Sequence, residues 1–490
     1  MSMGKRLETL AKEHPDKIAV IFNDKKITYS QLNLRATKFA NSISGLGIGK
    51  GEKVATVLRN CSNYIEVIQG LAKIGAVHVP VNWRLAPAEI EYILKNSDSN
   101  AVVVGQEFVD KIEAIRTNLK LADSNCIFIG DNTPHSMIAY EQFLAHTSDS
   151  EPQVEIGEED AFFIGYTSGT TGFPKGAVTK HGNWERASMG QGLIFNRGED
   201  DVELLTMPLF HMNAINTTSM SLYKGSTVII MERFRPEEAL RLIDKEKVTF
   251  SSMVPTMYNR ILNLPEEVKN KFNVDSMRTL LQSSAPIPFN TKKGVIEFFR
   301  NACLHEVYGG TEAGVVTYLA PEDQLRKPGS VGKASPGVEI KIVDDDGNEV
   351  PTGEVGQFTS RSMTAKVHNY YKDEKSTSKH FKDGWFYSGD MARVDEEGYY
   401  YLVDRKFDMI ISGGENIYPA EIEGVLYQHP KVFEVAVIGV PDADWGESVK
   451  AVIVLKEGET ATEDEIIQYT KERLGGFKIP RSVDFVNEMP

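Results

Sequence analysis

The chain has 490 residues, 41% apolar and 25% charged, with 54 lysines and arginines against 69 acids and a net charge of −15. At roughly 150 residues per unit, this suggests about two to four folding units with ample apolar material for their cores. The acidic balance disfavours general binding to nucleic acid or anionic lipid, although backbone amides can still build a local anion site.

No apolar stretch approaches the ~20 residues of a spanning helix, and MSMGKRLETLAKEHPDK has no apolar core of the kind a secretory signal needs. Cys61, Cys126 and Cys303 form no CxxC pair, so neither a disulfide framework nor a zinc site is expected, and the reading is a cytoplasmic protein. Leu32, Ala36, Phe39, Ala40 and Ile43 recur at helical spacing behind the capping candidates Thr28 and Ser30. Residues 53–58, 62–74 and 77–80 then read as strand, helix and strand, a βαβ unit. Short apolar runs at 101–104, 126–130, 161–166, 227–231, 249–254 and 303–308 alternate with helical patterns, which predicts an α/β fold with largely parallel sheets.

Beyond about residue 328 the texture changes. Segments 338–343, 356–360, 391–394 and 399–403, with a DDDG turn at 344–347, predict the hairpins of a β-rich subdomain. Past Arg405, a helix at 419–429, strands at 433–440 and 449–455, a helix at 463–474 and a strand at 482–486 predict a small α+β module. The expected division is a large domain over 1–405 and a small one over 406–490.

Three segments carry chemistry. YTSGTTGFPKGAV at 166–178 sets Thr167, Ser168, Gly169, Thr170, Thr171 and Gly172 ahead of Lys175. After a strand, such a loop can wrap phosphates, because glycines let the backbone approach, hydroxyls and amides donate, and lysine adds a charge. It is not the GxxxxGK[ST] loop of P-loop proteins, and the alternative is a flexible surface connection. YGGTEAG at 308–314 places Tyr308, Gly309, Gly310, Thr311 and Glu312 at the carboxyl end of a predicted strand, where α/β sheets bind ligands. There Tyr308 could stack on a purine and Glu312 could hold Mg²⁺, or the segment could be a plain turn. WFYSGD at 385–390 leads to Arg405 and IISGGENIYPAEIE at 410–423; Asp390 could accept two ribose hydroxyls, though an isolated aspartate or arginine is more often a surface ion pair.

In this order, YTSGTTGFPKG, YGGTEAG, YSGD and DRKFDMIISGGENIYPAEIE resemble the core signatures of the adenylate-forming superfamily, and within it the acyl-CoA synthetases that act on fatty or aryl acids. GLAKIGAVHVPVN at 70–82 adds to the likeness. The resemblance implies a large multi-subdomain N-terminal domain and a small mobile C-terminal domain. It also implies a carboxylate–CoA ligase using ATP, Mg²⁺ and CoA. By similarity, Thr167 to Lys175 grip the β- and γ-phosphates, Thr311 bonds the α-phosphate, and Glu312 with Thr170 holds Mg²⁺. Tyr308 with Ser284, Ala285 and Pro286 encloses adenine, and Asp390 and Arg405 fix the ribose. His211 borders the acyl pocket, with Met212, Asn213, Gly309 and Gly310 as further wall residues, and Gly413 and Gly414 form a loop beside the pantetheine channel.

The chain departs from that pattern in three places. The hinge position, commonly Asp or Lys, is Phe407; the adenine-side segment reads SSAP at 283–286, where glycines are common; and after NEMP no residue matches the adenylation lysine, so the small domain is expected to lack its last segment. The favoured substrate is an apolar aliphatic or aryl monocarboxylic acid, since no arginine stands out near His211 to pair a second carboxylate. A stand-alone adenylation protein loading a carrier-protein pantetheine, and an adenylate-binding protein without full catalysis, are the alternatives. A homodimer is compatible with the sequence.

Overall fold

The computed structural model describes residues 2–119, 121–167, 173–285, 287, 289–362, 367–405, 410–417, 419–456 and 458–489, without the side chains of 193, 368, 403–405, 416 and 420. Among these residues lie two large sheets, of nine and eight strands, and two of five. In the nine-stranded sheet Thr227–Ile230, Val202–Leu205, Phe250–Met253, Thr279–Gln282 and Cys303–Gly310 run parallel side by side. Lys53–Val57, Val77–Pro80, Ser99–Gly105 and Cys126–Ile129 form the parallel part of the eight-stranded sheet, and Ala161–Thr167 joins it beside Val77–Pro80. The α/β fold with largely parallel sheets is therefore as expected.

Helices lie between the two sheets because their apolar stripes face both ways. Phe39 of Tyr29–Gly45, Leu71 of Ser62–Ile74 and Ile215 of Met212–Lys224 share one buried cluster with Val54 of one sheet and Leu205 of the other. The helix Tyr29–Gly45 starts at Thr28, as expected: the Gln31 N–H donates to Thr28 Oγ1 at 3.2 Å, and the Thr28 N–H donates back to Gln31 Oε1 at 2.9 Å. No helix among the described residues is long and apolar enough to cross a membrane.

The β-rich part follows the hairpin reading. Val338–Val343 pairs antiparallel with Gly356–Ser362, and Trp385–Val394 with both Gly356–Ser362 and Tyr400–Arg405. Beyond it, Val432–Asp442 and Gly446–Leu455 form a long hairpin, with Ser482–Phe485 parallel to the latter and the helices Pro419–Leu426 and Glu463–Lys471 packed on the sheet through Ile422, Leu426 and Ile466.

This small domain is seated on the large one. Phe477 packs into the core of the eight-stranded sheet, and Lys478 bridges Glu89 of the large domain and Glu421 of the small. A Cβ on Gly475 would lie 2.7 Å from the Arg84 carbonyl oxygen, so only glycine admits this approach.

Candidate active site

Thr167 ends a strand of the eight-stranded sheet, and Glu312 sits in the turn between Cys303–Gly310 and Gly314–Leu319 of the nine-stranded sheet. The two sheets meet here: Thr167 Oγ1 donates to Glu312 Oε1 at 3.1 Å, and Tyr370 Oη donates to the same oxygen at 2.9 Å. Thr311 is half-buried beside them, and a Cβ on Gly165 would touch its methyl at 3.1 Å. Lys175 opens the strand Lys175–Lys180, directly opposite Thr167 in a hairpin. Its ammonium is buried 5.6 Å from the centroid of the Tyr370 ring. Burial pushes the Lys175 pKa below the ordinary lysine value; Asp373 and Glu312 oppose this and Lys379 adds to it. A desolvated cation of this kind gains from an incoming anion.

Glu312 also tests whether Mg²⁺ belongs here. A carboxylate that already gathers two hydroxyls at one oxygen is a hard-oxygen donor set, which suits an ion that keeps waters and takes its other ligands from phosphates. Among the described residues no group of three or more His, Cys, Asp or Glu side chains could hold a metal by itself.

A second group forms where the strand Cys303–Gly310 of the nine-stranded sheet meets the middle of Trp385–Val394 in a five-stranded sheet. Tyr308 Oη donates to Asp390 Oδ2, and the Tyr308 ring meets Phe358 edge-on at 5.2 Å. Asp390 is buried, with its N–H donating to Ser388 Oγ at 3.1 Å. The backbone of Arg405 lies opposite Asp390 in the sheet. Ser284 adopts φ +72°, and Gln282 Nε2 donates to the Ala285 carbonyl, which bends this segment at the sheet edge. The side chain of Arg405, together with Ser168, Gly169, Thr170, Thr171, Gly172, Pro286 and Phe407, lies outside the described residues.

The third group joins the domains. His211 caps the helix Met212–Lys224, and its Nε2 lies 3.2 Å from Glu415 Oε1. Burial and the nearby Arg84 guanidinium push the imidazole down to about 3, so it is neutral and donates to the carboxylate, which Arg84 pairs directly. Gly413 and Gly414 immediately precede Glu415: a Cβ on Gly413 would strike the Trp445 ring at 2.4 Å, and one on Gly414 would touch Val254 at 3.5 Å. Met212 and Asn213 are half-buried beside His211, while Gly309 and Gly310 are exposed. Gly309 has a structural requirement of its own, because a Cβ there would meet the Gly314 carbonyl oxygen at 1.8 Å.

Tyr370, Arg84 and Glu415 escaped the sequence reading. Glu415 lies inside a motif already recognised, and Arg84 stands two residues beyond GLAKIGAVHVPVN, but Tyr370 carries no local signal.

The sequence pattern of the AMP-binding enzyme family matches residues 7–367, and that of the AMP-binding enzyme C-terminal domain matches 421–490. The chain belongs to the AMP-binding enzyme family. Within this family its activity is ATP-dependent ligation of a carboxylate to CoA through an acyl-adenylate, with Mg²⁺, as the motifs implied. It is 36% identical over 470 residues to the long-chain fatty-acid–CoA ligase FadD13 of Mycobacterium tuberculosis, covering 95% of this chain and 90% of the relative. It is 33% identical over 493 residues to the indoleacetate–CoA ligase of Aromatoleum aromaticum, covering 100% and 95%. Among solved structures, a double mutant of o-succinylbenzoate CoA synthetase from Bacillus subtilis, bound with its product analogue OSB-NCoA, superposes with a TM-score of 0.88 at 28% identity over 99% of this chain and 95% of that one. The same synthetase in complex with the acyl-adenylate OSB-AMP superposes at 0.73, with 29% identity and the same coverage.

Proposed function

We propose that the chain activates a compact monocarboxylic acid, aryl or aliphatic, and that the three groups above divide the work of its two half-reactions. Attack of a carboxylate on the α-phosphorus of ATP brings an anion onto a tetra-anion. The nucleophile is already ionised at pH 7, so positioning and charge neutralisation carry the rate and no general base is required. Lys175, with Thr167 and the loop that follows, holds the β- and γ-phosphates and then pyrophosphate, while Thr311 bonds the α-phosphate. Glu312, with Thr170, would hold Mg²⁺, which when bound supplies neutralising charge at the phosphate oxygens. Tyr308 and the 284–286 segment enclose adenine, and Asp390 and Arg405 receive the ribose hydroxyls.

CoA thiol then displaces AMP. On this reading the small domain, as docked here, serves this second step, and two contacts support it: Gly414 lies against Val254, and Glu415 engages His211 and Arg84. The higher TM-score to the complex with a CoA product analogue supports the same assignment. Arg84 does reach the corner beside His211, where no arginine was expected. In this docked arrangement it is paired with Glu415.

The observation that carries this reading is the meeting of Thr167, Tyr370 and Glu312, beside Lys175, at the junction of the two sheets. The test is release of AMP and pyrophosphate that depends on acid, ATP and CoA together. ADP as the nucleotide product would sink the reading. Thioester formation on a carrier protein but not on free CoA would move it to carrier loading.

A further inference from the structure

The wall behind His211 has two layers of opposite character. Along a strand, residues two apart share a face about 6.6 Å apart, and along a helix residues seven apart share one. Phe250 and Ser252 therefore share a face, and on the helix Met212–Lys224 so do Met220 and Asn213; Ser283 directly follows the strand Thr279–Gln282, two residues past Leu281. The deep members, Met220, Phe250 and Leu281, are buried in one cluster with Phe195 and Val307. The shallow members, at the carboxyl edge of the sheet, are polar and bonded together. Asn213 Nδ2 donates to Ser283 Oγ at 2.6 Å and to Ser252 Oγ at 3.0 Å.

With both amide hydrogens of Asn213 engaged, the hydrogens left to meet a ligand belong to the serine hydroxyls. Their protein partners are distant: Ser252 Oγ is 3.3 Å from Asn213 Oδ1, and Ser283 Oγ is 3.3 Å from Ser284 Oγ. Good O–H···O bonds are about 2.7–2.8 Å, so a substrate oxygen at that distance competes successfully for either hydrogen. An acyl group lacking a polar atom leaves these groups covered and poorly bonded, which is the situation that gives hydrogen-bonding sites their selectivity.

We propose that this polar layer, Asn213 with Ser252 and Ser283, is the far wall of the acyl pocket, and that it selects a compact acid carrying a hydroxyl or carbonyl group remote from its carboxylate. The assignment rests on the ligase reading above and narrows its substrate class. The packed Met220–Phe250–Leu281 layer sets the length limit.

The test measures kcat/KM for acid-dependent pyrophosphate release with benzoate, 3- and 4-hydroxybenzoate, hexanoate, 6-hydroxyhexanoate and decanoate. Wild type is expected to favour the better hydroxy acid over its parent by about tenfold or more, with decanoate poorest. Asn213→Leu is expected to bring that ratio to about one or to invert it, and the milder Ser283→Ala to lower it in the same direction. A merely structural role would lower every acid by one common factor, and that result in both variants would overturn the proposal. Equal use of parent and hydroxy acids by wild type would overturn it alone, leaving the ligase reading intact. No release with any acid would overturn both.

Discussion

Lys478 holds Glu89 of the large domain and Glu421 of the small one at once, its Nζ lying 2.8 Å from Glu89 Oε1 and 2.6 Å from Glu421 Oε1 with all three side chains at least nine-tenths buried. Burial pushes the Glu421 carboxyl up to about 7; Lys478 opposes this and Glu89 adds to it. On the proposal that the small domain alternates between two positions, Glu421 meets water once undocked and its pKa returns to about 4.3. Docking therefore takes up a proton. The docked arrangement is favoured most below about pH 4.3, weakens as pH rises towards 7, and changes little above that. Fluorescence transfer between dyes on the two domains should follow this curve, and Glu421→Gln should flatten it. An unchanged slope in that variant would exclude Glu421 as the titrating group.

Gly475 offers a way to disturb the same interface without touching charge. Its missing Cβ would lie 2.7 Å from the Arg84 carbonyl oxygen and 3.0 Å from Leu85 Cα, both backbone atoms that cannot swing aside. Gly475→Ala is expected to slow acyl-CoA formation from preformed acyl-adenylate by about 10- to 100-fold, through loss of the docked population. Pyrophosphate release should change by less than about threefold. Equal losses in both half-reactions would point to general damage instead.

What could be read from the chain alone was what is local. The segment 338–343 was placed in full because alternating residues run into an Asp-Gly turn, and the 62–74 helix because its apolar residues repeat at helical spacing. Val202–Leu205 and Thr279–Gln282 were missed: each has four residues, and the first carries Glu203, a charge that tertiary structure buries beside Arg197 and Ser221. The site divides in the same way. Lys175, Glu312, Tyr308 and Asp390 sit in contiguous motifs, whereas Tyr370 reaches Glu312 across 58 positions and Glu415 reaches His211 across 204, distances no local pattern encodes.

Lys175 and Glu312 should separate catalysis from stability. Removing the buried ammonium relieves a desolvated charge, so Lys175→Met is expected to leave the thermal midpoint of the free protein unchanged or raise it. Pyrophosphate release should nevertheless fall by about 10²–10³-fold, as when a transition-state donor is lost. Glu312→Gln should produce a similar loss that higher Mg²⁺ concentrations partly reverse. Calorimetric melting alongside a pyrophosphate assay checks both parts, and a proportional loss of stability and rate in Lys175→Met would contradict the assignment.

Tyr308 and Asp390 act as one unit, and the nucleotide should sense it. Tyr308→Phe removes one donor from a buried carboxylate, which costs about 1–3 kcal/mol and is expected to lower the thermal midpoint by a few degrees. Asp390→Asn keeps the shape but cannot accept from two ribose hydroxyls at once, so its AMP affinity should fall by about 10- to 100-fold. The loss in Tyr308→Phe should be smaller, because adenine still has a ring to lie against. Titration calorimetry with AMP on the two single variants and the double variant then gives the coupling between them. Strict additivity would mean that the hydroxyl–carboxylate bond plays no part in holding the nucleotide.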